Sequence, residues 1–135
     1  MSSPPVAEAR AAGPIRVFLV EDSAPVAEVI CEMLDFEGIS AHGPFGDPDA
    51  AREAAGTLEM DLALLDPDLG GIPVWPVADV LARRAIPFAF LTGNEEIALP
   101  ARFANRPVLG KPFRHEALIA MVRSLAAAAR DTRAA

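Results

Sequence analysis

Several short apolar runs in this chain each stop at a residue able to do chemistry. Val17-Phe18-Leu19-Val20 ends at Glu21-Asp22, Leu62-Ala63-Leu64-Leu65 at Asp66, Pro87 to Leu91 at Thr92, and Pro107 to Gly110 at Lys111. Taken singly, an acidic residue there caps the next helix and a lysine is ordinary surface. Together they make a reaction centre. Three carboxylates brought close repel and raise one another's pKa unless a cation is held between them. A hard ion such as magnesium suits such a set, keeping waters and leaving positions open for phosphate oxygen. A carboxylate can act as nucleophile on phosphorus to give an aspartyl phosphate. What remains is stabilisation of the phosphoryl charge, for which Lys111 supplies a cation and Thr92 a hydroxyl.

The elements that must position these residues follow from the apolar pattern. Ile15 to Val20 reads as a strand buried on both faces. From Pro25, Val26, Val29, Ile30, Met33 and Leu34 recur at helical spacing up to a stop at Gly38. Residues 39–42 give a weak second strand, and Asp47-Pro48 caps an Ala-rich helix to Leu58. Leu62–Leu65 is a third strand, followed by a Gly/Pro loop through Pro73 and a helix over roughly Val74 to Arg84. Pro87–Leu91 and Pro107–Gly110 are two further strands. The stretch Asn94 to Arg106 between them leaves room only for a brief or absent helix. A last helix runs from about Arg114 through Ala128, with Leu118, Ile119, Val122 and Leu125 inward. Apolar strands alternating with helices predict an α/β fold, a parallel sheet covered on both faces. Ligands then sit beyond the carboxyl ends of the strands, where the reactive residues cluster.

The chain is 135 residues long, enough for one core. Residues 1–14, rich in Ala, Pro and Ser, read as a flexible tail, 15–128 as the domain, and 129–135 as a frayed C-terminal tail. A formal net charge of -7 repels phosphate backbones and anionic lipid, so neither nucleic acid nor membrane is expected as partner; a protein is. The lone Cys31 excludes an internal disulfide, reads as a small core residue and suits a reducing compartment. With no secretory signal and no run of spanning length, the expected location is cytoplasmic.

Over about residues 15–128 the sequence resembles the receiver domains of two-component response regulators. The resemblance rests on the acidic pair in Val17-Phe18-Leu19-Val20-Glu21-Asp22-Ser23, on Leu64-Leu65-Asp66, on Thr92, and on Lys111-Pro112-Phe113. It implies a doubly wound, five-stranded, flavodoxin-like sheet of order 2-1-3-4-5. It makes Asp66 the phosphoacceptor, with Asp22 and Asp66 ligating Mg2+ directly, Glu21 through water, and the Asp68 backbone carbonyl as a further ligand; Mn2+ is the expected substitute. Thr92 would move toward the phosphoryl group and Lys111 would pair with it, and the bond before Pro112 would be cis. Such a protein catalyses its own phosphoryl transfer and slow dephosphorylation rather than acting as a conventional enzyme. Its implied partners are a sensor histidine kinase or a histidine phosphotransfer protein, and a target protein. With no further domain evident beside the receiver, output is expected through protein contact.

Phe90-Leu91-Thr92-Gly93-Asn94 is similar to the motif of a bacterial subgroup, the Phe-Ala-Thr-Gly-Tyr receivers, associated with stress signalling. Leu91 and Asn94 depart from that motif; Pro76-Val77-Ala78-Asp79, Arg102-Phe103 and Pro107-Val108-Leu109 also look like this subgroup. Three residues before the lysine, where most receivers carry a rotating aromatic, stands Val108. Reorganisation of loop 93–100 is the expected substitute.

Two rival readings compete. Asp66-Pro67-Asp68 is similar to the nucleophile motif of haloacid-dehalogenase-like phosphatases, but Gly70 stands where that family has Thr or Val, and its nucleophile follows the first strand. A degenerate receiver, binding without phosphorylation, is opposed by the intact Glu21, Asp22, Asp66, Thr92 and Lys111. His42, in an expected loop beside Gly43-Pro44, and His115, near a helix start, are assigned no role. Trp75 is either an exposed anchor or a packing residue.

Overall fold

A computed structural model describes residues 13–93 and 97–134; the N-terminal tail expected over 1–14 falls almost wholly outside the described residues. β1 (Arg16–Val20) leads into α1 (Ala24–Phe36), β2 (Ser40–Phe45), α2 (Pro48–Thr57) and β3 (Leu62–Leu65). A hairpin of β4 (Asp68–Leu69) and β5 (Ile72–Pro73) precedes α3 (Trp75–Arg83) and β6 (Phe88–Thr92). A 3-10 turn (Ala101–Phe103), β7 (Val108–Gly110) and α4 (His115–Ala134) complete the order. The five parallel strands run β2-β1-β3-β6-β7. Setting the hairpin aside, this is the expected doubly wound order 2-1-3-4-5.

Successive side chains of a strand point to opposite faces, and here that alternation divides the core in two. Phe18, Val20, Ala63, Leu65, Phe88 and Phe90 face α2 and α3. Val17, Leu19, Leu62, Leu64, Ala89 and Leu91 face α1 and α4. The central strands are therefore apolar throughout, as the sequence shows them, because neither face meets water.

Register is fixed at the start of β3. The Arg16 backbone N–H donates to Asp61 Oδ2 at 2.8 Å while the Asp61 N–H donates to the Arg16 carbonyl, also at 2.8 Å. Asp61 is 2% exposed, and the Arg16 side chain lies against its carboxylate, so this buried charge has the paired environment it needs. Val20 then pairs with Leu65, and Thr92 with Gly110. Residue 21 is thereby brought level with residue 66, and Lys111 follows one residue beyond the position level with Thr92.

Helix starts follow the sequence signals. The Ser23 hydroxyl accepts from the Val26 N–H at 3.4 Å, and an Asp47 carboxylate oxygen from the Ala50 N–H at 2.9 Å, each ahead of a first-turn proline. Among the described residues between β6 and β7, only the 3-10 turn forms, in line with the brief helix expected there. Phe103 holds it: 2% exposed, its ring lies 5.6 Å from Phe88 and 6.1 Å from both Phe90 and Trp75. Trp75 is thus a packing residue, half-buried against this cluster.

Three elements differ from expectation. The Gly/Pro loop expected through Pro73 contains the short β4–β5 hairpin. β2 runs on to Phe45, so His42 lies in a strand opposite Phe18 and not in a loop. Gly43 and Pro44 look like a chain break in the sequence, but a register shift between Phe18 and Val20 absorbs the extra residue on this edge strand. Gly43 has φ 120°, and a Cβ there would stand 2.5 Å from the Leu19 carbonyl, so only glycine fits. The last helix, expected to end near Ala128, continues to Ala134; Ala129 is buried and Arg130 donates to the Gly13 carbonyl. Among the described residues, no helix is long and apolar enough to cross a membrane.

Candidate phosphoacceptor and metal site

Every residue that terminates an apolar run stands at the carboxyl rim of the sheet. Glu21, Asp22 and Asp66 each offer a carboxylate oxygen within 4.8 Å of the others. They differ in environment: Glu21 is buried, Asp66 half-buried and Asp22 exposed. Lys111 bridges two of them, its Nζ donating to Glu21 Oε1 at 2.5 Å and to Asp66 Oδ2 at 3.0 Å. The Lys111–Pro112 peptide is cis, as the resemblance implied.

Backbone N–H groups hold the same two carboxylates from the other side. Glu21 Oε2 accepts from the Ser23 N–H at 3.1 Å, and Asp66 Oδ1 from the Asp68 N–H at 2.9 Å. The Asp68 side chain in turn accepts from the Gly71 N–H at 2.6 Å, spanning the turn between β4 and β5. Asp68, whose carbonyl is the expected further ligand, is the first residue of β4. Thr92 ends β6 with 5% exposure, and its carbonyl accepts from the Lys111 N–H at 2.7 Å. That bond carries the β6–β7 ladder one residue past Gly110 and so sets the starting point of the lysine side chain.

The charges are balanced by opposing effects. Burial pushes the Glu21 carboxyl above its ordinary pKa, only partly offset by the Lys111 and Ser23 hydrogen bonds. Burial also works against the Lys111 ammonium, but the hydrogen bonds to Glu21 and Asp66 outweigh it and its pKa lies above the lysine norm. The lysine is therefore charged at neutral pH. Three carboxylates against one ammonium still leave a surplus of negative charge around oxygen-only donors. That donor set fits a hard divalent cation and not a soft one.

The other singled-out residues lie apart. His115 Nε2 is 2.9 Å from Glu37 Oε1 at the end of α1, and Cys31 is half-buried against the α1–α4 core. Val108 is 43% exposed on the edge strand β7. Of loop 93–100, residues 94–96, including Asn94 of the motif, lie outside the described residues. Ser23 was not singled out from the sequence as a site residue. Its place between the acidic pair and Pro25 was the available signal, for it caps α1 with its hydroxyl and braces Glu21 with its N–H.

Comparison with known proteins bears on this geometry. The chain is 31% identical over 115 residues, 81% of its length, to the transcriptional regulatory protein PdtaR of Mycobacterium tuberculosis. The match is 55% of that protein, so the chain spans about half the length of the curated relatives it matches. It superposes on SdrG from Sphingomonas melonis with a TM-score of 0.74 and 32% identity, covering 83% of this chain and 96% of that one. The receiver domain of the sensor histidine kinase PA1611 from Pseudomonas aeruginosa has a magnesium ion coordinated in its active-site cleft. It shares the fold at TM-score 0.74 and 22% identity, covering 85% of this chain and 99% of that one. No family model matches the chain.

Proposed function

Since this chain belongs to the receiver domains of two-component response regulators, we propose that Asp66 accepts a phosphoryl group from a phosphohistidine donor and that Glu21, Asp22 and Asp66 hold the magnesium ion this transfer needs. The observation that carries the proposal is the convergence of three carboxylate oxygens within 4.8 Å with Lys111 bridging two of them. In the transfer an Asp66 carboxylate oxygen forms a bond to phosphorus as the phosphorus–nitrogen bond of the donor breaks, and the departing imidazole takes up a proton. The bound ion would supply charge neutralisation for the phosphoryl oxygens. The chain's own residues do the rest. The Asp68 N–H and Lys111 hold the Asp66 carboxylate in one orientation, Lys111 would remain as counter-charge to the product, and Thr92, the last residue of β6, would supply a hydroxyl to a phosphoryl oxygen.

Sequence relationship and site together support a sensor histidine kinase or a histidine phosphotransfer protein as donor. An apolar cleft lined by Pro25, Val29, Met33 and Phe113 opens beside Lys111, giving such a partner a surface next to the acceptor. The proposed output is contact with a target protein in the cytoplasm, in stress signalling, with the aspartyl phosphate as the switch. In this role the chain works as a relay component.

The test is a titration with Mg2+ and beryllofluoride, an aspartyl-phosphate mimic, following backbone amide shifts in wild type and Asp66→Asn. Metal-dependent binding by wild type alone, with shifts near Thr92 and Lys111, is expected. No metal-dependent binding by a folded wild type would overturn the proposal.

A further inference from the structure

The three carboxylates are not held in the same way. Glu21 and Asp66 each accept hydrogen bonds from a backbone N–H and from Lys111. Asp22 makes no hydrogen bond or ion pair among the described residues, and its side chain is exposed. Its place is therefore set by where its backbone stands, and what stands against that backbone is Gly46. A Cβ on Gly46 would lie 3.2 Å from Asp22 Cα, closer than a side-chain carbon normally approaches, with the Glu21 carbonyl at 3.4 Å and Asp22 Cβ in ordinary contact at 3.7 Å.

Gly46 cannot easily retreat. The residue before it, Phe45, accepts from the Glu21 N–H at 3.0 Å and places its ring 5.2 Å from Phe18. The residue after it, Asp47, caps α2. Gly46 is not among the glycines of positive φ, so it is space and not backbone freedom that calls for glycine here. Gly43 differs, needing glycine on both counts. A Cβ on Gly70 would lie 3.7 Å from Asp22 Oδ2, an ordinary contact, so of the two glycines near Asp22 it is Gly46 that stands tight against its backbone.

We propose that Gly46 is a positioning residue for the cation site, its bare backbone setting the distance of Asp22 from the other two carboxylates and with it the preference for Mg2+. The inference rests on the reading of Glu21, Asp22 and Asp66 as a magnesium site. Magnesium demands near-ideal octahedral geometry at about 2.0–2.1 Å, whereas calcium accepts irregular shells at about 2.3–2.6 Å. Moving one carboxylate by a few tenths of an ångström therefore penalises Mg2+ more than Ca2+.

The experiment is calorimetric titration of the full chain with Mg2+ and with Ca2+, for wild type, Gly46→Ala, Asp22→Ala and the double variant. All four are made also in a Gly56→Ala background, where the new methyl meets only Val80 at 3.9 Å and α2 gains helix propensity, which offsets about 0.5–1 kcal/mol of any loss of fold stability. The expected result is a rise of about tenfold in the Mg2+ Kd for Gly46→Ala, the scale of losses when a residue orienting a metal ligand is changed. The Ca2+ Kd rises less, and Gly46→Ala has no further effect once Asp22 is gone. An unchanged Mg2+ Kd, equal weakening of both ions, or the same penalty in the Asp22→Ala background would each overturn the proposal. Absence of Mg2+ binding by wild type would overturn the underlying metal-site reading instead.

Discussion

Lys111→Ala tests whether the lysine is the built-in counter-charge of the carboxylate cluster. The Glu21 side chain is 1% exposed, Asp66 15% and Lys111 18%, so the group is largely out of water. Removing one partner of a buried pair leaves the other charge uncompensated, which costs about 3–5 kcal/mol; with Asp66 still touching solvent, the lower end, about 3 kcal/mol, applies. For a domain of this size that is a fall of roughly 10 °C in Tm, read by circular dichroism in EDTA at pH 7. The loss must depend on pH. Burial already raises Glu21 above 4.5 and Lys111 is the first influence opposing it. A carboxyl with a raised folded pKa costs nothing below its unfolded value near 4.5 and progressively more as pH climbs through the folded value. Without Lys111 the folded value climbs further, so the gap between wild type and variant is small below pH 4.5 and widest near neutrality. Added Mg2+ narrows it: at ten times its Kd a ligand stabilises by about 1.4 kcal/mol, and the variant, relieved of the competing ammonium, responds at lower metal concentration. A Tm in EDTA equal to wild type at pH 7, or a deficit as large at pH 4 as at pH 7, would refute this account.

Two further perturbations probe the scaffold. Phe103→Ala empties the position that anchors the 3-10 turn among Phe88, Phe90 and Trp75 and should cost about 3–5 kcal/mol in urea unfolding; a cost below about 1 kcal/mol would mean that the surroundings collapse into the space. Glu37→Gln removes a carboxylate whose pKa lies below its ordinary value, first through the His115 hydrogen bond and then through Arg123. A depressed carboxyl stabilises above its unfolded pKa and loses that contribution as pH falls through the folded one. The Tm advantage of wild type should therefore shrink as pH falls below 4.5; an advantage that persists undiminished at pH 3 would rule out the ion pairs as its source.

The site was more legible in the sequence than the elements around it, for a physical reason. Strands buried on both faces must be apolar from end to end, so Leu62–Leu65 and Phe88–Leu91 announce both themselves and the polar residue that stops them. Parallel order then does the remaining work, because every strand delivers its last residue to the same rim. β2 was less legible because it is an edge strand: its exposed, Gly- and Pro-containing sequence carries no apolar signal, and its pairing with β1 depends on a shift of register that no local pattern encodes. The end of α4 was hidden similarly, since Ala127 to Arg130 reads equally as a frayed tail until Ala129 is seen buried and Arg130 reaching the Gly13 carbonyl.

The least legible residue is the one on which the metal preference is proposed to turn. Glu21, Asp66 and Lys111 declare themselves by charge, and hydrogen bonds hold all of them. A network of that kind can relax, since each bond has a partner that moves with it. Asp22 has none among the described residues, so its position passes to packing, and packing against a bare backbone gives no sign in a sequence beyond one more glycine in a loop. It follows that the strand with the weakest sequence signal exerts the strictest control on the site. β2 reaches the acidic pair through the Phe45 carbonyl and Gly46, so substitutions along this edge should alter cation selectivity before they alter the acceptor, while substitutions in β3 or β6 should unfold both together.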